Sequence, residues 1–511
     1  ADDSRPFLSY YSPGKKTAEL TFAEFAEATR VWTARLDASG LVREDQPAVV
    51  ILGNSIETFF AYSALLSLGA IVTPIDPSET VDYVARVASF AGASCAIVFA
   101  DWNEKLSTTT LPRFCVSDES TAASTMSHPI FASNLDSKTS IFFTSGTTGD
   151  SKAVLQTIGS TLANAEGTKR AGHISPSDVL SSCLPLFHVN AFNFSFLLPL
   201  YVGCRIVYMS GFAPTFWRTL LDERVSVASL SPPVLRLLLK DSRPLAAPSS
   251  LRYFTSASSA LHRADLEGIR DRFGVRVCQA YGLSETINFT LFTPPDLSDD
   301  EFRQVVTAGT LPPAGTPVWG QDVALLDERG HEVDADETPG EVAVRGWNVL
   351  TEYLGNRSAT EAAFAGGWFH TGDVAYKKIV SGRAFYFLCG RIKETVKRSG
   401  TQIYLSEIDQ AAREIGLENA CAVGFRNVHT DEEVGLFVVR GQNEKRSRED
   451  LLAELSKRLP FAKVPKVIVE GDEIPRTAVG KVRRGDLKTA FDSYVETRFQ
   501  RAHAKAQFQR D

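Results

Sequence analysis

IFFTSGTTGDSKAV, Ile141–Val154, begins as an apolar run and breaks into threonine, serine and glycine before one lysine, Lys152. A loop so short in side chain exposes its backbone N–H groups, which then need an acceptor from outside the chain. A phosphate is the obvious acceptor, and a plain flexible turn is the alternative. The spacing excludes a Walker A loop, because that motif places Gly directly before its Lys and Ser or Thr directly after it. Here Ser151 and Ala153 flank Lys152. No GxGxxG follows the first strand pattern either, so a dinucleotide-binding fold has no support.

Working outward, apolar helical patterns alternate with short β-rich runs. Thr21–Leu36 has helical spacing and Ala48–Leu52 reads as a buried strand; Glu57–Leu68 is helical and Ala70–Pro74 a strand. The rhythm repeats at Val81–Ala91 with Cys95–Phe99, and at Phe216–Arg224 with Val227–Leu230. Strands separated by helices predict βαβ units and hence an α/β architecture of mostly parallel sheets. From Gly340 the texture changes to short strand-like pieces, and a boundary is expected near Cys389–Lys393. Beyond it Leu405–Ile415, Ala420–Phe425, Val434–Val439, Arg448–Leu459 and Val467–Val469 read as a small α+β unit. The terminal stretch Gly485–Gln509 reads as a charged, solvated helix.

Composition bounds the function. At 511 residues the chain exceeds what one hydrophobic core supports, so at least two domains are expected. The net charge of −7 gives no basic field to recruit nucleic acid. The seven cysteines show no CxxC and no zinc-ligand spacing, and read as buried thiols of a reducing compartment. Phe59–Ile75 and Ala191–Val202 are too interrupted to span a bilayer, and ADDSRPF at the start lacks signal-peptide character, so a cytoplasmic location is expected.

Four further stretches are chemically loaded. YGLSET (Tyr281–Thr286) sets the carboxylate of Glu285 between two hydroxyls, and WFHTGDVAY (Trp368–Tyr376) sets Asp373 behind a glycine. GRIKETVKRSGTQIYLSEID (Gly390–Asp409) opens with a basic cluster, and PRTAVGKVRRGDL (Pro475–Leu487) offers Lys481. Singly, each has a plain reading: a surface carboxylate, an Asp–Arg surface pair, an exposed lysine.

Together and in this order, TSGTTGDSK, YGLSET, HTGD, GRIKE and PRTAVGK resemble the core motifs of the adenylate-forming superfamily, which includes acyl- and aryl-CoA synthetases. The resemblance covers about Leu20 to Leu487. It implies an N-terminal domain at 1–390 holding ATP and an acyl group, a mobile C-terminal domain at 391–511, and an active site between them. It implies ATP, Mg²⁺ and coenzyme A as cofactors, or a carrier-protein phosphopantetheine in place of CoA.

Position by position, the resemblance implies that Ser145, Gly146, Thr147, Thr148 and Gly149 cradle phosphates beside Lys152. Glu285 would hold Mg²⁺ with Thr144, Thr286 would touch the α-phosphate, Tyr281 would stack on adenine near Ser258, and Asp373 with Arg391 would take the ribose. Lys481 would bridge the substrate carboxylate and the α-phosphoryl. Lys393 would be the hinge, and Ser399 with Gly400 would line a pantetheine tunnel.

PLFHVNAFNF (Pro185–Phe194) falls where the family begins its acyl pocket. Phe187, His188, Val189, Asn190, Phe192, Ser231, Pro232, Ser256 and Gly282 are the candidate lining, with His188 either a gating group or a packed ring. No Asp stands in this stretch to pair a substrate ammonium, which favours an aryl, medium-chain or polycyclic acid over an amino acid. The expected activity is acid–thiol ligation through an acyl adenylate. Loading of a carrier protein or an amine, luciferase-type oxidation, and a catalytically degenerate nucleotide-binding relative remain as alternatives.

Overall fold

The computed structural model describes residues 3–117, 134–144, 152–241, 243, 246–257, 261–307, 311–398, 401–441, 444–476 and 482–499. The lysine Lys481, the loop residues Ser145–Gly149, Ser258, Ser399 and Gly400 lie outside that set.

The N-terminal helical pattern forms where its chemistry says it should. Helix Phe22–Ala38 starts at Thr21, whose hydroxyl accepts from the Glu24 amide while the Glu24 carboxylate accepts from the Thr21 amide, a reciprocal capping box. Helices Ile56–Ser67 and Val81–Ala91 follow, the latter ended by Gly92 at φ +68°. Strands Pro47–Ile51 and Ile71–Pro74 run between these helices and Cys95–Val98 follows the last, all three fully buried, as strands covered on both faces must be.

These strands belong to a six-stranded sheet in which Arg113–Cys115, Cys95–Val98, Pro47–Ile51, Ile71–Pro74, Lys138–Thr144 and Lys152–Thr157 lie side by side. Every pair is parallel except the last, where Lys138–Thr144 and Lys152–Thr157 run antiparallel. A nine-stranded sheet lies beside it, with a parallel centre formed by Arg276–Tyr281, Tyr253–Ser256, Val227–Ser229, Val179–Ser182, Arg205–Met209 and Pro6–Tyr11. The main core joins both sheets through aromatic rings: Phe192 touches Tyr62, Phe142 and Phe196 at centroid separations of 5.2, 5.4 and 5.5 Å.

A third sheet, Gln321–Leu326, Gly340–Gly346, Phe369–Val380 and Arg383–Arg391, is antiparallel throughout, which accounts for the change of texture in the sequence from Gly340. After Arg391 a short 3₁₀ turn, Ile392–Glu394, carries the exposed Lys393 and leads into strand Thr395–Arg398 of a five-stranded sheet. That sheet has an apolar core of its own, from Val396 through Leu405, Ile408, Leu436 and Leu451 to Ile468. Arg398 and Glu433 form a buried ion pair inside it.

One expectation is corrected. The terminal stretch beginning at Gly485 forms a 3₁₀ helix, Arg484–Tyr494, and the described chain beyond it to Arg498 is non-helical. Leu487 and Phe491 bury themselves against Cys421, Phe425 and Phe437, so this is a packed segment rather than a solvated one.

Candidate active site

The site grows from the end of strand Arg276–Tyr281. Beyond it the chain makes a turn at Ser284–Thr286 and doubles back so tightly that the Thr290 amide donates to the Tyr281 carbonyl at 2.7 Å. Gly282 makes this crossing feasible: a Cβ built on it would stand 1.4 Å from the Asn288 carbonyl oxygen. Glycine is therefore demanded here by backbone contact, a reason separate from the acyl lining expected of it.

Two clusters flank this turn. In the first, the Tyr281 hydroxyl donates to Asp373 Oδ2 at 2.8 Å and Arg391 Nε lies 3.0 Å from Asp373 Oδ1. Asp373 is buried and Tyr281 and Arg391 are half-buried. The Asp373 charge, acting against burial, raises the Arg391 guanidinium above its usual range, and burial followed by the same charge raises the Tyr281 phenol. Tyr281 is thus a neutral donor and Arg391 a fixed cation. A carboxylate is an acceptor with about four lone-pair positions, the chemistry that suits the two hydroxyl donors of a ribose.

In the second cluster, Tyr353 donates its hydroxyl to Glu285 Oε1 at 3.0 Å, and the Lys152 ammonium lies 4.4 Å above the Tyr353 ring. Burial, then Glu285, raises the Tyr353 phenol. Backbone pairing holds the group together: Tyr353 bridges Val154, the Leu354 amide donates to the Ala153 carbonyl at 2.9 Å, and the Leu350 amide donates to the Glu285 carbonyl at 2.6 Å. Thr144, at the other side of the hydroxyl-rich loop, reaches the Lys152 carbonyl at 3.4 Å. The structure therefore brings Glu285, Lys152 and Thr144 to one side of the site and Tyr281, Asp373 and Arg391 to another.

The donor set suits Mg²⁺, a hard cation that keeps several waters and phosphate oxygens in its shell and needs few protein ligands. Glu285 supplies a carboxylate and Thr144 a hydroxyl, while no group of three or more His, Cys, Asp or Glu among the described residues forms a complete cage.

Thr286 departs from expectation. It is completely buried, with its hydroxyl engaged by the Leu283 amide at 3.0 Å and its carbonyl held by Asn348 Nδ2 at 3.2 Å. In this conformation it braces the turn instead of facing a phosphate. Phe192 also differs from a simple lining residue, being a fully buried core ring. His188 immediately precedes the short helix Val189–Ala191 and makes no side-chain cap bond to it, with its ring 4.9 Å from that of Phe187. Asn190 is buried with both carboxamide atoms lacking a partner among the described residues, and Ser256 Oγ likewise. Ser231 and Pro232 open helix Pro232–Lys240.

Sequence reasoning missed Tyr353, Asn348 and Glu341. Each lies on the segment from Gly340 to Tyr353, and a signal was present: GEVAVRGWNVLTEY places a carboxylate, an amide and a phenol among apolar residues just before HTGD.

The comparisons identify the class. A family model described as AMP-binding enzyme matches residues 3–354, and the chain belongs to that family, within the adenylate-forming superfamily. It is an enzyme of the acyl-CoA synthetase, or acid–thiol ligase, kind, a class that works with ATP, Mg²⁺ and CoA. A probable CoA ligase of Humulus lupulus is 28% identical over 94% of this chain and 93% of its own. An indoleacetate–CoA ligase of Aromatoleum aromaticum is 31% identical over 68% of this chain and 66% of its own. Among solved structures, ATP-bound MatB from Rhodopseudomonas palustris superposes with a TM-score of 0.85 at 21% identity, covering 96% of this chain and 97% of that one. No helix among the described residues is long and apolar enough to cross a membrane.

Proposed function

We propose that this chain activates a non-amino-acid carboxylic acid as its acyl adenylate and transfers the acyl group to the thiol of CoA. The reading is carried by Asp373, which sits in one bend between a neutral phenol donor and a guanidinium, as a ribose receptor requires, beside the turn that presents Glu285.

In the first half-reaction an oxygen of the substrate carboxylate attacks the α-phosphorus of ATP, the bond to the β-phosphate breaks, and pyrophosphate leaves. Asp373 accepts from the ribose and Arg391 adds a donor, which fixes the nucleotide so that the attack lies in line. The amides and hydroxyls of Ser145–Gly149 with Lys152 hold the departing phosphates. Glu285 and Thr144 would hold Mg²⁺, which when bound offsets the charge gathering on those phosphates. Lys481 bridges the reacting pair and opposes the negative charge that builds in the transition state. In the second half-reaction the thiol sulfur, having lost its proton, attacks the acyl carbon and AMP departs. Turning about Lys393 withdraws Lys481 and presents Ser399 and Gly400, where no side chain blocks a pantetheine arm.

Phe187, His188, Val189, Asn190 and Ser256 surround the acyl group, with Asn190 and Ser256 the polar contacts for an otherwise apolar acid such as an aryl, medium-chain or polycyclic one. The named relatives support the acid–thiol class: besides indoleacetate they include ligases of oxalate, long-chain fatty acids and 2-succinylbenzoate. All seven cysteines are free thiols, which supports a cytosolic site of action.

The test is acid-dependent exchange of labelled pyrophosphate into ATP with Mg²⁺, run across a panel of carboxylic acids with hydroxylamine trapping, followed by CoA thioester formation with the acids that respond. No exchange with any acid refutes the reading. Trapped hydroxamate without thioester moves the acceptor to a carrier-protein phosphopantetheine or an amine.

A further inference from the structure

We propose that Glu341 is a positioning residue for the ribose site, holding the bend that aims Asp373; this rests on the ATP reading above. Glu341 lies on strand Gly340–Gly346, which pairs antiparallel with Phe369–Val380. The register slips at this point: Glu341 pairs with Val374, whereas Ala343 pairs with His370. One residue on the first strand, Val342, thus faces three on the other, and Thr371, Gly372 and Asp373 bulge out of this ladder.

A bulge leaves backbone donors without ladder partners, and here the Glu341 and Thr371 side chains take up the Gly372 and Asp373 amides. Its Oε1 accepts from the Gly372 amide at 3.0 Å and its Oε2 lies 2.8 Å from His370 Nδ1. The other His370 nitrogen, Nε2, lies 3.1 Å from the Ala365 carbonyl, so the imidazole is held at both ends. The Thr371 hydroxyl donates to the Val342 carbonyl at 2.7 Å and accepts from the Asp373 amide at 3.1 Å. Gly372 stands at φ +72°, a left-handed conformation that packing does not enforce, since among the described residues nothing lies within 4 Å of where its Cβ would be. The Glu341 carboxylate is the contact that fixes this glycine.

Glu341 grips Gly372 and His370, one and three residues before Asp373. Its effect on the nucleotide therefore passes through backbone geometry. Because Asp373 serves the sugar hydroxyls, a misplaced bend is felt as lost recognition of those hydroxyls and not as slower chemistry.

The experiment uses the full chain and its best acid, with kcat and KM in pyrophosphate exchange measured for ATP, 2′-deoxy-ATP and 3′-deoxy-ATP. Variants are Glu341→Ala and Glu341→Gln, with thermal melts to establish folding. Glu341→Ala is expected to lower the preference for ATP over the deoxynucleotides by about tenfold, the loss of one hydrogen bond to a charged group, through KM for ATP. Glu341→Gln keeps an oxygen for the Gly372 amide and is expected to retain most of the preference. An unchanged preference in Glu341→Ala, or an equal loss for all three nucleotides, overturns the proposal, as does a wild type indifferent to the ribose hydroxyls. A wild type that exchanges no pyrophosphate with any nucleotide overturns the adenylation reading itself, and this proposal with it.

Discussion

Replacing Gly282 with alanine should dismantle the site through one methyl group. The new Cβ would stand 1.4 Å from the Asn288 carbonyl oxygen and 2.6 Å from its carbon. A carbon and a carbonyl oxygen approach no closer than about 3.3 Å, so the two backbone segments must part by about 2 Å. No rotamer change relieves the overlap, because both partners are backbone. Between these two points lies only the turn that carries Glu285 and Thr286. The displacement is therefore delivered to Glu285 and to the Leu350 amide bonded to the Glu285 carbonyl at 2.6 Å. A 1 Å misplacement of a positioning group costs about 100-fold in rate, so Gly282→Ala should reduce pyrophosphate exchange by at least that factor. Gly211→Ala is the control: its Cβ meets nothing within 4 Å, and its exchange rate should match the wild type. Exchange by Gly282→Ala within about threefold of the wild type would refute the steric argument, because a turn displaced that far cannot keep such a rate.

Three more outcomes are expected. Lys481→Ala should abolish adenylate formation while leaving thiolysis of a supplied acyl adenylate largely intact, and Gly400→Leu should do the reverse; separate assays of the two half-reactions check both. Phe192→Ala should cost about 3–5 kcal/mol in urea unfolding, since it removes a fully buried ring packed on Tyr62, Phe142 and Phe196. His262, bonded to Gln410 across the structure, has its pKa pushed down to about 4 by burial and then by Arg413. The unfolded chain takes up this proton near pH 6.5 while the folded chain resists it until about 4, so stability falls as pH drops through that window. Thermal midpoints between pH 7 and 4 should decline less steeply in His262→Asn.

How far the residues alone carry depends on the range of the interaction. Helix Phe22–Ala38 is legible because Thr21 and Glu24, which start it, are neighbours in sequence. The parallel strands are legible because burial on both faces leaves unbroken apolar runs such as Pro47–Ile51. What joins to what is not local: nothing in PFLSYY announces that Pro6–Tyr11 pairs with Arg205–Met209. Phe192–Leu197 shows phenylalanine at alternate positions, yet it closes a π-helical turn whose form is set by the aromatic core around it. The 3₁₀ helix Arg484–Tyr494 escapes for a similar reason, since Leu487 and Phe491 answer to a surface made by other strands.

The same division runs through the site. Tyr281, Asp373 and Arg391 stand in motifs that are recognisable one at a time, and the structure brings them within hydrogen-bonding distance. Tyr353 meets Glu285 only because residues 352–354 lie along strand Lys152–Thr157, a contact between segments about 200 residues apart in the chain. Glu341 was hidden because its task is created by a slip in strand register, which has no signature in composition or periodicity.

Helix Leu405–Glu414 and its neighbourhood are tied to the rest of the chain by the apolar packing of Tyr404 on Leu311, Val374 and Cys389, by the Ser406 hydroxyl on the Cys389 carbonyl, and by polar pairs. Lys240 meets Glu418 at 3.0 Å, Arg263 meets Glu414 at 3.5 Å, and His262 meets Gln410. Lys240 and Glu418 are largely exposed, and water replaces such partners at almost no loss. Brine should therefore loosen the Lys240–Glu418 clasp while the apolar packing around Tyr404 keeps its grip.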